Sequence, residues 1–588
     1  MESTINKSIL IKLTLVLGVV SFFNQTNFAQ ESSINGITAP GRQNRIITQS
    51  EKETNLPQTK DTAIQIPPVK YYLEPSQYPV DFEVEPIQAA RLKVVEPLEK
   101  LYPGYVKFGV GNYLIPYLDA YYGSLRSKKN SWGVNLKHHS ALGQINDVGN
   151  SQFSENYIDG FYKHFLRNHT LKSNIYYHRD VNHYYGFNLN DTLIPQTYRE
   201  SPDSIFQVYN WVGFNTKLTS NFKDSSKLHH KVGLSYYFLN NVDQLQEHNV
   251  VANTTLSKYL ENENIEANVD FELDFNSLNQ PVLNSVDTVG VVLPTQGGGV
   301  ANTAILRLVP YVVNNKILNK LHVKGGFGIN IDMADVNKFY FYPEVELSYD
   351  LFNSVFIPYA GATGGVKRNS WHNLRLDNPF LLSNSSVKNT NEKINVYGGI
   401  RGSISATISF NLNVRYQKLA DQVLFYNDTA YSYQNGFQML YDNVGVTTIS
   451  GQLAYQKSEK FMMYLKGEYF ANNAENQEFA WLMPDFNISL SATYDLANKI
   501  IARANVFVVG TRNTFSLDSI AGTEVNDAGQ YPFQLKPYVD ANLGVEYRYN
   551  KRISAFIDFN NLTAAKYQRF TNYPVQRFNV LGGFTFKF

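Results

Sequence analysis

Cysteine is absent from all 588 residues. That excludes disulfides, thiolate metal sites, a cysteine nucleophile and an N-terminal lipoprotein acylation site. Tryptophan and methionine are scarce, at 4 and 6 residues. Long apolar runs are also missing. Leu13 to Phe23 is too short to cross a bilayer as a helix, and nothing later offers some 18 uninterrupted apolar residues. A helical membrane protein is thereby excluded. Net charge is almost nil, +1 with 18% charged residues, so there is no electrostatic footprint for nucleic acid. No Walker loop, dinucleotide fingerprint or His-Glu-x-x-His motif occurs, and we expect no enzyme, no cofactor and no bound metal.

The abundant residues are tyrosine and phenylalanine, 41 and 38 of them. A ring with an apolar body and a wet tip suits long borders between water and membrane, although a Tyr-rich extracellular sandwich has the same composition. At the N-terminus, Lys7 and Lys12, the apolar run and a polar end closing on Ala29 read as a secretory signal over residues 1–29. Export without a helical anchor leaves periplasm, outer membrane or exterior. Residues 30–103 carry Pro40, Pro57, Pro67, Pro68, Pro75, Pro79, Pro86, Pro97 and Pro103 in a polar setting, which favours unpaired, extended chain. We read a Pro-rich periplasmic tail or linker.

From Gly104 the pattern becomes one of period two. Ile265, Ala267, Val269, Phe271, Leu273 and Phe275 alternate with Glu266, Asn268, Asp270, Glu272 and Asp274. Ile408 to Gln417, Phe486 to Asp495 and Val539 to Tyr549 alternate in the same way. The final strand puts Phe578, Val580, Phe584, Phe586 and Phe588 on one face and Asn579, Thr585 and Lys587 on the other. Strands of soluble sheets average five or six residues, whereas a tilted strand needs nine to eleven to cross hydrocarbon. Lipid cannot satisfy a loose backbone donor, so such strands must close on themselves. The expected fold is therefore all-β: a large transmembrane antiparallel β-barrel of about 22 strands over residues 104–588, with both termini periplasmic. Long inserts near Val181 to Ile205, Asn276 to Val300, Arg368 to Lys393, Phe470 to Trp481 and Thr511 to Tyr531 would face the exterior and supply any ligand or partner surface.

The last fifty residues carry Lys536-Pro-Tyr-Val-Asp540, Leu543-Gly-Val-Glu-Tyr547, Phe559-Asn-Asn-Leu562, Lys566-Tyr567, Tyr573-Pro574, Arg577 and Phe588. In that order they resemble the end of a TonB-dependent receptor barrel of the Bacteroidetes type. The resemblance implies an outer-membrane location and marks Phe584, Phe586 and Phe588 as a membrane-assembly signal read by the barrel assembly machinery. Asp61, Ile64 and Ile66 are faintly similar to the short peptide that TonB grasps by strand addition, and an ordinary linker segment is the favoured reading. The sequence departs from the family in having no recognisable plug before the barrel. An open hole of that width must be filled by the tail, an inward-folded loop or a partner. The implied role is solute passage across the outer membrane. The alternative is a non-transporting subunit of an envelope complex, and the expected partners are lipid, lipopolysaccharide, other envelope proteins or TonB.

Three constellations carry chemistry. The inward acidic row Glu266, Asp270, Glu272 and Asp274, with Glu344, Glu346 and Asp350 beyond it, would attract cations, or would pair with Lys231, Arg307 and Lys324 as structural ladders. His138-His139 and His229-His230 cannot chelate one ion, because adjacent strand residues point to opposite faces. His138 and Ser140 share the lipid-facing parity of Trp132, Val134 and Leu136, the geometry that a general base and a nucleophile need, as in outer-membrane phospholipases, although the surrounding residues do not resemble the phospholipase motif. Nothing in the sequence places a polar residue to orient His138.

Overall fold

The computed structural model describes residues 101–588 apart from the short internal stretches 191–193, 201–204, 261–264, 282–298, 318–319, 335, 353, 429–431, 459 and 517–530. Twenty-two antiparallel strands form one sheet, which closes where the Gly104–Gly111 strand pairs with the Asn579–Lys587 strand. Two small ribbons stand apart from it, Arg512–Ser516 with Tyr531–Leu535 and Gln568–Phe570 with Tyr573–Pro574.

Alternation explains both the strands and the closure. Along the Ile265–Gln280 strand, Asn268, Asp270, Asp274, Asn276 and Leu278 are buried while Phe275 points out and is exposed. Along the closing strand Phe584 and Phe586 are exposed and Asn579 and Leu581 buried. The outward parity continues around the cylinder through Val110, Val134, Ile175, Phe214, Leu234, Phe341, Val414, Ile449 and Ile488, all exposed; Phe341 and Ile175 reach 69% and 64%. A soluble protein would hide such a belt, and hydrocarbon is the solvent in which it costs nothing. The outward band is therefore apolar and the inward one polar, which is how a membrane barrel is arranged.

The two rims differ. At the rim where Gly104 and Lys587 lie, the connections run from two residues, 406–407, to eight, 221–228. At the other rim they include 184–205, 368–389, 475–485, 510–537 and 561–578. The expected inserts near Val181 to Ile205, Arg368 to Lys393 and Phe470 to Trp481 lie on this loop rim, and most of each of those near Asn276 to Val300 and Thr511 to Tyr531 lies outside the described residues. The sequence reading did not single out 561–578 as an insert; its residues entered only through the family likeness.

Where the sheet closes, Gly109 and Gly583 are partners. A Cβ on Gly583 would overlap the carbonyl oxygen of Phe108, so only glycine lets the two edges approach to ladder distance there.

Candidate functional site in the barrel lumen

Residues 368–389 join the Ile357–Lys367 and Thr390–Ser405 strands, and they turn into the cylinder instead of away from it. Ser370 caps a short helix, Trp371–Asp377, by accepting from the Asn373 amide. Trp371, Leu374, Phe380, Leu381 and Leu382 are buried in one cluster with wall residues Tyr209, Trp211, Leu239 and Leu278. Five apolar side chains thus leave water against the inner wall, which is what draws the segment inward.

Polar anchors set its position. Glu247 is fully buried at the start of the Gln246–Leu260 strand, and accepts from the Trp371 and His372 amides at 2.8 and 2.9 Å. It also accepts from the Tyr237 hydroxyl at 3.1 Å and the Asn276 amide at 3.2 Å. A carboxylate at a helix N-terminus meets both its orphan amides and its dipole. Arg375, 2% exposed, brings both terminal nitrogens within 3.2 Å of Asp180 Oδ2. Its guanidinium lies 4.1 Å from the Trp211 ring centre and 4.8 Å from that of Tyr209. Exposed ion pairs contribute at most about 1 kcal/mol, but removing one partner of a buried pair costs about 3 to 5 kcal/mol, so this contact governs docking. Arg368 donates to Asp274 at 3.1 Å, and Ser383 donates to Asp243 at 2.6 Å.

His372 sits against Tyr237 and Trp211, ring centres 5.1 and 5.5 Å away. Enclosure by the wall, and then the charge of Arg375, push its pKa down to about 3. The imidazole is neutral at pH 7.

The acidic row does face the lumen, and much of it is paired. Arg307 bonds Glu272, Arg368 holds Asp274, and Lys324 lies 2.5 Å from Glu344. Glu346 accepts from the Tyr397 hydroxyl at 3.4 Å. Asp350 leaves the row: it closes a turn by accepting from Ser354. Arg368 was invisible to parity, since it belongs to a loop whose direction only folding decides. A basic sector was also missed. Lys163, Lys172 and Lys217 are direct cross-strand partners on three successive strands, all inward, with Lys231 one step on. Like charges in register oppose folding, and water in a lumen is what makes them tolerable.

His138 and His139 do take opposite faces. His139 turns in, 3.8 Å from Glu155, and His138 turns out to Ser140 and to Asn156 on the neighbouring strand. Asn156 is therefore the orienting residue that sequence reading did not find; strand register supplies it. Beside the other pair, His230 meets His169 at 3.2 Å. Among the described residues no group of three or more His, Asp or Glu could hold a metal. Phe584, Phe586 and Phe588 lie exposed on the outward band. Asp61, Ile64 and Ile66 lie outside the described residues.

Solved structures share this architecture. The chain is similar to the ferric enterobactin receptor of Pseudomonas aeruginosa, at 13% identity and TM-score 0.60 over 83% of this chain and 81% of that one. The siderophore receptor PirA of Acinetobacter baumannii matches at 11% identity and TM-score 0.61, over 83% and 81%. The ferripyoverdine receptor of the outer membrane of P. aeruginosa matches at 12% and 0.60, over 83% and 72%. The likeness is one of fold. No family model and no curated protein matches the sequence.

Proposed function

We propose that the chain is an exported outer-membrane barrel, resembling a TonB-dependent receptor, that passes a solute through its lumen past the inward loop 368–389. One observation carries this reading: the loop is seated inside the mouth by a few discrete anchors, of which Arg375 to Asp180 is chief, above a wall that is polar and charged. A purely structural barrel has no need of charged sectors facing water. The apolar outward belt and the fold likeness support the membrane location, with residues 1–29 acting as the signal and the loop rim facing the exterior. Phe584, Phe586 and Phe588 are the assembly signal in this reading. Asp61, Ile64 and Ile66 are the contact for TonB if passage is energy-coupled.

Planar-bilayer recording of the purified protein and of an Arg375→Ala variant tests the proposal. We expect low conductance in the first and raised conductance in the second. Lys172→Glu with Lys217→Glu should then shift the open state several-fold from anion towards cation preference. Silence in both proteins, with stoichiometric co-purification of another envelope protein, would replace passage with a docking role.

A further inference from the structure

Three side chains of outward parity, His138 and Asn156 half-buried and Ser140 buried, form an array that passage through the lumen does not use. The Asn130–Ala141 and Phe153–Phe165 strands pair His138 with Asn156 and Ser140 with Ser154. His138 Nδ1 lies 2.7 Å from Asn156 Oδ1, and His138 Nε2 lies 3.0 Å from Ser140 Oγ. The Asn156 amide nitrogen is committed elsewhere, donating to Ser154 Oγ at 3.1 Å and to the Arg179 carbonyl at 3.5 Å. Its oxygen therefore faces the imidazole and accepts from Nδ1–H. That tautomer leaves Nε2 bare to accept the Ser140 hydroxyl proton. Orienting group, base and nucleophile stand in order, the arrangement that activates a serine.

The position selects the substrate. Trp132, Val134 and Leu136, on the same face of the same strand, are exposed in the apolar belt. Ser140 is eight residues from Trp132, or about 20 Å along the barrel axis for a strand rising roughly 3.3 Å per residue at a tilt near 40°. The belt is about 25 Å tall, so the hydroxyl stands near its far border, where the ester groups of a bilayer lipid lie between hydrocarbon and headgroup. Leu114 and Leu142, exposed on adjoining loops tied by the Leu142 amide to the Leu114 carbonyl, give an acyl chain an apolar ledge beside it.

We propose that Ser140, His138 and Asn156 form a hydrolytic site for the carboxylic esters of membrane lipids. Ser140 Oγ adds to the acyl carbonyl as its proton passes to His138 Nε2. The ester C–O bond breaks, and the leaving alcohol takes that proton. Water then gives a proton to His138 and attacks the acyl-serine. The fatty acid departs, and Oγ regains the proton. Asn156 is a positioning residue: it fixes the ring but, being neutral, does not offset the imidazolium charge. Ser140 itself is 4% exposed, so the ester reaches it only as neighbouring side chains move aside, and turnover is slow.

The test uses the full-length protein in detergent and in phosphatidylethanolamine–phosphatidylglycerol vesicles, with a fluorophosphonate probe and measured fatty-acid release. We expect probe labelling and slow release by the wild type, and loss of both in Ser140→Ala. Asn156→Ala should lower release at least tenfold through kcat with KM little changed, and Asn156→Asp should restore it. Heat-modifiable gel mobility confirms that each barrel is folded. Labelling that persists in Ser140→Ala, or release by the wild type no faster than by Ser140→Ala, overturns the assignment. Neither outcome bears on conductance.

Discussion

Phe380 and Tyr573 stack face to face, with ring centres 3.6 Å apart and planes 19° from parallel. One ring belongs to the inward loop and the other to the last long connection of the barrel. The Tyr573 hydroxyl reaches on to the carbonyl of Asn435, in a third loop. The mouth is thus held by contacts among loops as well as by contacts to the wall. Phe380→Ala should cost about 3 to 5 kcal/mol of loop docking, since it leaves a hole against a fixed ring. Trypsin cleavage after Lys388 should speed up while gel mobility of the folded barrel stays the same. An unchanged cleavage rate would show that the rings do not secure the loop.

Arg375→Ala strands the carboxylate of Asp180, and we expect about 3 to 5 kcal/mol of lost docking. Arg375→Ala with Asp180→Asn should recover part of it, because no charge is then left behind. Hydrogen exchange of amides 371–385 reads both. Equal exchange in the wild type, the single and the double variants would argue that the pair is incidental.

Acid should loosen the loop through His372. Its pKa when docked is about 3, below the ordinary value of 6.5, so the undocked loop binds a proton that the docked loop refuses. Docking is therefore at full strength above pH 6.5 and weakens as pH falls from there towards 3. A spin label on the loop should show growing mobility over that window, with a flatter response in His372→Gln. An identical pH response in that variant would assign the effect to another group.

The outward and inward parities should respond differently to charge. Val414→Arg places a guanidinium in hydrocarbon and should cost about 2 to 4 kcal/mol, against little for Ser409→Arg, exposed on the inward parity of the same strand. Urea midpoints in liposomes measure the difference, and equal losses would contradict the assignment of faces.

Much of this molecule was legible as text, for a physical reason. A strand facing lipid on one side and water on the other has no choice but to alternate, so strand number and faces could be read from parity. What parity cannot give is the partner across the sheet. Asn156 beside His138 and the row Lys163, Lys172, Lys217 depend on register, which the spacing within one strand does not contain. Nor can it say which way a loop folds. Arg368 and Arg375 look like any solvated arginines until Trp371 and Leu374 carry them inside, where Asp274 and Asp180 wait. The Asn-Asn-Leu stretch was noted as a likeness only. In the structure Asn561, wholly buried, accepts from the Ala565 amide and donates to the carbonyls of Ala565 and Gln576, which makes it the organiser of the 561–578 connection.

The closing ladder at Gly109 and Gly583 joins two segments that lie more than 470 positions apart along the chain. Until they meet, the growing ribbon has two raw edges, each able to recruit a stray strand. Every other pairing can zip locally from its neighbour, but this one is a single long-range encounter and sets the pace of maturation. Gly583→Ala would therefore show itself first as slow or failed biogenesis, with an excess of unsealed precursor.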